Sequence, residues 1–133
     1  TEFITDVNFE TKIMMDPIVL EKAIVLENIY YDLDKANIRP DAALVLDSLV
    51  QIMNDNPEIY IELGSHTDSR ADDDYNMKLS QRRAQSAVSY IINEGIESDR
   101  IVAKGYGESK LIIKNAQTEE QHQKNRRTEF KVL

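Results

Sequence analysis

Between Ile59 and Ile92 the apolar residues change their spacing, and that change constrains the fold more than any other feature of the chain. Ile59, Ile61 and Leu63 alternate with Tyr60 and Glu62, the pattern of a half-buried strand. Pro57 marks its start and Gly64 its end. Further on, Ala84, Ala87, Val88, Ile91 and Ile92 follow the i, i+3, i+4, i+7, i+8 spacing of an amphipathic helix. Asp74 suits its N-cap and Gly95 its C-terminal stop. The polar segment between, from Gly64 to Ala84, therefore leaves the carboxyl end of a strand and enters a helix. Asp68 falls in the loop. At roughly 100° per residue, Asn76, Leu79 and Arg83 lie on one flank of the apolar stripe, whereas Arg82 points to solvent.

An Asp in such a loop and an Arg on the following helix can face each other across a few ångströms. The carboxylate accepts from an ammonium, and the guanidinium offers a planar fork to a carboxylate. Together they match a zwitterion such as the free end of an amino acid, and the N–H groups of the helix start also favour an anion. Spacing alone equally allows Asp68 to be a turn residue and Arg83 a surface side chain lying along the helix.

The 133 residues suffice for one domain with a proper core. Apolar content of 41% and charged content of 30% read as globular. The 16 Lys and Arg against 24 Asp and Glu leave a net charge of −8, which argues against nucleic acid or an anionic membrane surface as partner. An anionic ligand must be captured by local arginines and backbone N–H groups. With no cysteine there is neither a disulfide framework nor a thiolate metal site. No run approaches a membrane span, and no signal peptide is recognisable.

Residues 1–28, where Phe9, Thr11, Ile13 and Met15 alternate weakly and Ile18 to Leu26 is apolar-rich, read as an extended lead-in or linker, with an added edge strand as a further option. Ile29, Tyr31 and Leu33 predict the first strand of the domain proper, residues 29–133, with Asp34 to Asn37 as its exit loop. Pro40 and Asp41 open a helix whose buried stripe is Ala42, Val45, Leu46, Leu49, Ile52 and Met53. A strand–helix–strand unit makes its two strands parallel, so the loops carrying Asp34 and Asp68 open at the same end of the sheet, where open α/β sheets bind ligands. Ile101 to Lys104 reads as a strand with Gly105–Tyr106–Gly107 as its exit turn. Ile112 and Ile113 are expected as core contacts from a loop. Thr118 is expected to cap a short helix through Gln123, and Arg127 to Leu133 alternates as a final strand. The layer logic of small domains then gives an α+β fold: a strand–helix–strand–helix–strand core with a mixed sheet of about four strands and helices on one face.

Several short motifs occur in one order: His-Thr-Asp at 66–68, Tyr-Asn at 75–76, Leu-Ser at 79–80, Arg-Arg-Ala at 82–84, Gly-Ile at 95–96, Gly-Tyr-Gly-Glu at 105–108 and Asn-Arg-Arg at 125–127. From about residue 29 to 133 the chain resembles the OmpA-like C-terminal domain of outer-membrane proteins and peptidoglycan-associated lipoproteins. The resemblance implies the same fold class and non-covalent binding of peptidoglycan through the diaminopimelate of its stem peptide, without a cofactor. It implies that Asp68 takes the ammonium and Arg83 the carboxylate, with Asn76 and Leu79 shaping the helix wall. Thr67 is expected to orient the loop and Arg70 to screen or approach the ligand. Asp34 and Asn37 belong to a second rank of pocket residues, with Leu33 in place of the family's usual aromatic. Arg126 and Arg127 are expected to be structural, tying the last strand to acidic loops. The resemblance also implies a periplasmic setting at the outer membrane, a chain cut from a longer exported protein, and envelope partners reached through upstream domains.

The run Asp72-Asp73-Asp74 with Asp68 offers oxygens for Ca²⁺, but the EF-hand's Gly and distal Glu are missing, and acidic residues before a helix complement its dipole. Ser65 and His66 are adjacent in sequence, yet strand-exit neighbours point apart, and no phosphate loop, zinc pattern or nucleophile elbow appears. The chain is therefore read as a binding domain, not an enzyme, with both histidines as polar loop residues. Six tyrosines leave a protein-interaction module as the alternative.

Overall fold

Pro40 stands at the first position of helix α1 (Pro40–Asp55), where its missing N–H costs nothing. The computed structural model describes residues 23–26 and 38–133. The strand expected at 29–33 and the loop residues Asp34 and Asn37 lie outside them, as does most of the 1–28 lead-in. After α1 come β2 (Ile61–His66), α2 (Asp73–Asn93), a 3₁₀ turn (Ser98–Arg100), β3 (Ile101–Gly107), α3 (Glu119–Asn125) and β4 (Thr128–Val132), with β1 (Ala23–Leu26) preceding them all. Among the described residues, four strands form one sheet in the order β1-β4-β2-β3. β2 and β3 are parallel, joined by α2 as the crossover, and β4 runs antiparallel to both β1 and β2. This is the expected α+β architecture with a mixed sheet.

The core lies between one face of that sheet and the two long helices. Leu46, Leu49, Ile52 and Met53 of α1 meet Ala87, Val88 and Ile91 of α2 over Ile61, Leu63, Phe130 and Val132 of the sheet. Fully burying one such side chain is worth about 1.5–3 kcal/mol. The buried guanidinium of Arg100 closes the end of α1: its Nη2 donates to the carbonyls of Met53 and Asn56 at 2.9 and 3.0 Å, and its Nε to that of Ile59. It supplies from another element the cation that the last turn of α1 lacks.

Several boundaries differ from expectation for definite reasons. β2 continues past Gly64 to His66, because Gly64 is a packing site and not a break: a Cβ there would lie 2.9 Å from the Tyr106 ring. β3 likewise runs through Gly105–Tyr106–Gly107 instead of turning. Gly105 lets α2 approach so closely that a Cβ would stand 2.3 Å from the Gln81 nitrogen. The freed backbone is used, since Gly105 N–H donates to Gln81 Oε1 at 2.8 Å and Gly107 N–H to Ser80 Oγ at 2.9 Å. The N-cap of α2 is Asp72, not Asp74, and its carboxylate accepts from Tyr75 N–H. The helix stops at Gly95, φ +109°, as its composition implies. α3 is closed by a capping box of Thr118 and Gln121 and runs two residues beyond Gln123. Ile112 is exposed and neither it nor Ile113 joins the core. Their backbone N–H groups instead donate to the Oδ1 of fully buried Asn125 at 2.8 and 2.9 Å.

Candidate functional site

Three register pairs between β2 and β4 decide where the core stops. Ile61 faces Val132 and Leu63 faces Phe130, but the next pair on the same face is Ser65 and Thr128. The change from apolar to hydroxyl side chains opens the helix-facing side of the sheet into a cleft of about 670 Å³. Ser65 and Thr128 lie on its floor, the flank of α2 forms one wall, and α3 with the Arg126–Arg127 segment forms another.

Thr67, Asp68, Arg70, Asn76, Leu79 and Arg83 all line this cleft. Arg82 is exposed and opens onto a different, shallow groove beside Ser86 and Tyr90. Adjacent arginines thus serve different surfaces, and the half-buried Arg83 is the one that lines the cleft together with Asp68.

The loop after β2 is held by backbone and side chain together. His66 N–H donates to the Arg127 carbonyl and Thr67 N–H to that of Gly107, at 2.9 and 2.8 Å. Thr67 Oγ1 donates to the Asp68 carbonyl at 2.9 Å. Buried Asn76 gathers three segments: its Nδ2 lies 3.2 Å from the carbonyls of Asp68 and Ala71 and 2.9 Å from Glu108 Oε1. Burial pushes the Glu108 carboxyl up, the nearby Asp73 and Asp68 charges push the same way, and the Asn76 hydrogen bond opposes them.

Asp68 is 8% exposed and already engaged. Its Oδ2 accepts from Arg70 Nη2 at 2.8 Å, Arg70 Nε at 3.2 Å and Arg126 Nη1 at 2.7 Å, and its Oδ1 accepts from Arg70 N–H at 3.0 Å. Burial alone would raise this carboxyl; the side-chain and backbone hydrogen bonds of Arg70, then that of Arg126, outweigh it and hold the group at about 2. Asp68 is therefore an anion throughout the physiological range, and Oδ1 keeps acceptor capacity for a ligand donor. Glu119, at the first position of α3, bridges the same two arginines.

Arg126 was expected to be structural. It does tie the start of β4 to an acidic loop, but it also stands in the cleft beside Asp68, and Glu119, Arg39, Tyr75 and Gln123 line the cleft as well. The Asn-Arg-Arg motif was the available signal for Arg126 and the Tyr-Asn motif for Tyr75; Glu119, Arg39 and Gln123 carried none. His66 is not a loop residue. It is a buried strand residue, its ring stacked on Tyr106 at 4.8 Å and its Nε2 3.1 Å from Glu129 Oε1. Among the described residues no group of three or more His, Cys, Asp or Glu is arranged to hold a metal ion.

A family model described as the OmpA family matches residues 30–126. The chain belongs to that family. Among curated relatives of the OmpA-family domain, outer membrane porin F of Pseudomonas fluorescens is 38% identical over 105 residues, which cover 79% of this chain and 32% of that protein. The chain spans a third or less of the first curated relatives it matches. Among solved structures, the peptidoglycan-associated lipoprotein from Burkholderia pseudomallei superposes with a TM-score of 0.71 at 23% identity, covering 79% of this chain and 88% of that one. The cell wall anchor of the T6SS from Pseudomonas aeruginosa gives 0.69 at 24% identity, covering 84% and 78%. At such identities the structural likeness establishes the shared fold. The Thr-Asp, Arg-Ala and Asn-Arg-Arg segments bring Asp68, Arg83 and Arg126 to one cleft.

Proposed function

We propose that this domain binds peptidoglycan non-covalently and holds the diaminopimelate of its stem peptide between Asp68 and Arg83. One observation carries the reading: an acid and a half-buried arginine, separated by a loop and almost three turns of helix, line a single cleft of about 670 Å³. The ligand's ammonium adds to Oδ1 of Asp68, and its carboxylate takes the fork of Arg83. Leu79 and Asn76 shape the helix wall, with Thr67 and Arg70 fixing the loop. Asp34 and Asn37 complete the second rank of contacts. The work done is binding, and no residue is assigned a catalytic role.

Two structural relatives, a peptidoglycan-associated lipoprotein and a cell wall anchor, support the same reading. It puts the domain on the periplasmic side of the outer membrane, where it anchors the membrane or an envelope complex to the wall. Wall polymers present many copies of the stem peptide, so modest single-site affinity suffices through avidity.

Co-sedimentation with purified sacculi, with and without free diaminopimelate, tests this. Binding that free diaminopimelate reverses and a chelator leaves intact is the expected result. Failure to sediment contradicts the reading, loss on chelation points to Ca²⁺ at the Asp72–Asp74 run, and turnover of the wall material points to an enzyme.

A further inference from the structure

The cleft holds more cationic charge than one zwitterion uses. Among the described residues, five arginines line it against two carboxylates, Asp68 and Glu119, in a chain whose net charge is −8. Asp68 is buried and built in. Glu119 differs in every respect: its side chain is 63% exposed and it reaches in from the first turn of a short helix. Its two oxygens are divided between two guanidiniums. Oε1 accepts from Arg70 Nη1 at 3.0 Å and Oε2 from Arg126 Nη2 at 2.5 Å. These are the two arginines whose other N–H groups are spent on Asp68. Their orientation is set from the buried side, and the outward N–H groups converge on one carboxylate.

We propose that Arg70 and Arg126 form a second carboxylate subsite, and that Glu119 occupies it in the free domain as an internal surrogate which the ligand displaces. The inference rests on the peptidoglycan reading and narrows it: the ligand class is a stem peptide carrying a second free carboxylate besides the one held by Arg83. An exposed ion pair contributes little to stability, so Glu119 yields at small cost while keeping the two guanidiniums aligned until ligand arrives. Amidation of that second carboxylate removes the charge that competes with Glu119. The subsite thereby distinguishes acidic from amidated stem peptides.

Calorimetry on the folded domain tests this with a diaminopimelate-containing disaccharide tripeptide and with the same muropeptide amidated singly at each free carboxylate. Glu119→Gln removes the surrogate's charge and keeps the helix cap. Glu120→Gln, removing the same charge one residue on, controls for the overall field. Tighter binding of the free muropeptide by E119Q, by roughly two- to fivefold as expected when an exposed ion pair no longer competes, is the supporting result. That gain must exceed that of E120Q and vanish for one amidated form. Unchanged or weaker binding by E119Q, a gain equal to that of E120Q, or a gain that persists with every amidated form overturns the surrogate and leaves the peptidoglycan reading standing. No binding of any form by the unaltered domain overturns both.

Discussion

The Arg126 guanidinium donates to the Asp68 carboxylate across 2.7 Å, although 58 residues separate the two in sequence. Sheet order brings them together. β2 is the neighbour of β4 and antiparallel to it, so the exit from one strand and the entry to the other lie at the same end of the sheet. The contact closes the cleft and joins the final strand to the loop that carries the candidate ligand-binding acid.

Removing Arg126 therefore acts on both stability and binding. Arg126→Ala is expected to lower the unfolding free energy by about 1–2 kcal/mol, the range of a partly exposed charge-assisted hydrogen bond. Arg70 still holds Asp68, so the domain stays folded. Urea denaturation followed by circular dichroism measures the change, and an unaltered midpoint contradicts the structural half of the role.

Acid sensitivity follows from Asp68 and Glu129. Both carboxyls sit at about 2 in the folded domain. For Glu129 the His66 hydrogen bond is the first cause and Arg127 adds to it, against burial. Unfolded carboxyls titrate near 4, so the stability these groups contribute is full above about pH 4 and is lost as pH falls toward about 2. Each loss is on the order of 1–2 kcal/mol after screening by solvent. Glu108, pushed up, contributes with the opposite sign. Asp68→Asn should flatten the pH dependence of the urea midpoint between pH 4 and 2, and a profile as steep as the unaltered domain's goes against this.

Gly105 is a test of the link from packing to site. Gly105→Ala forces its Cβ against the α2 backbone at Gln81, which cannot rotate away as a side chain could. The cost is expected at about 1–3 kcal/mol or more. Because α2 carries Asn76, Leu79 and Arg83, ligand affinity falls with it. Gly95→Ala strains a positive φ in open space and should cost only about 1 kcal/mol, with affinity unchanged. Equal behaviour of the two variants in thermal melts and binding assays contradicts the clamp.

The period-2 run before Gly64 and the 3.6 period after Ala84 were enough to put Asp68 past a strand and Arg83 on a helix flank, because each depends on local burial alone. The α1 stripe was legible for the same reason. Gly64 and Gly105 read as strand ends in the sequence because a glycine required by an approaching ring or helix looks, in one dimension, like a glycine that ends a strand. The Arg126–Asp68 bond could not be read from spacing, since it depends on which strands neighbour each other. Ile112 illustrates the reverse error: hydropathy suggested core, whereas its loop is held through the backbone by Asn125.

The central claim is that Asp68 and Arg83 act on one ligand. Titration calorimetry with a diaminopimelate-containing muropeptide measures it most directly, using the unaltered domain, Asp68→Ala, Arg83→Ala and Arg82→Ala. Losing either principal charge should cost about 1.5–3 kcal/mol of binding free energy, roughly a tenfold to hundredfold rise in Kd. Arg82→Ala, altered on the other groove, should bind as the unaltered domain does. Unaltered affinity in both Asp68→Ala and Arg83→Ala contradicts the account.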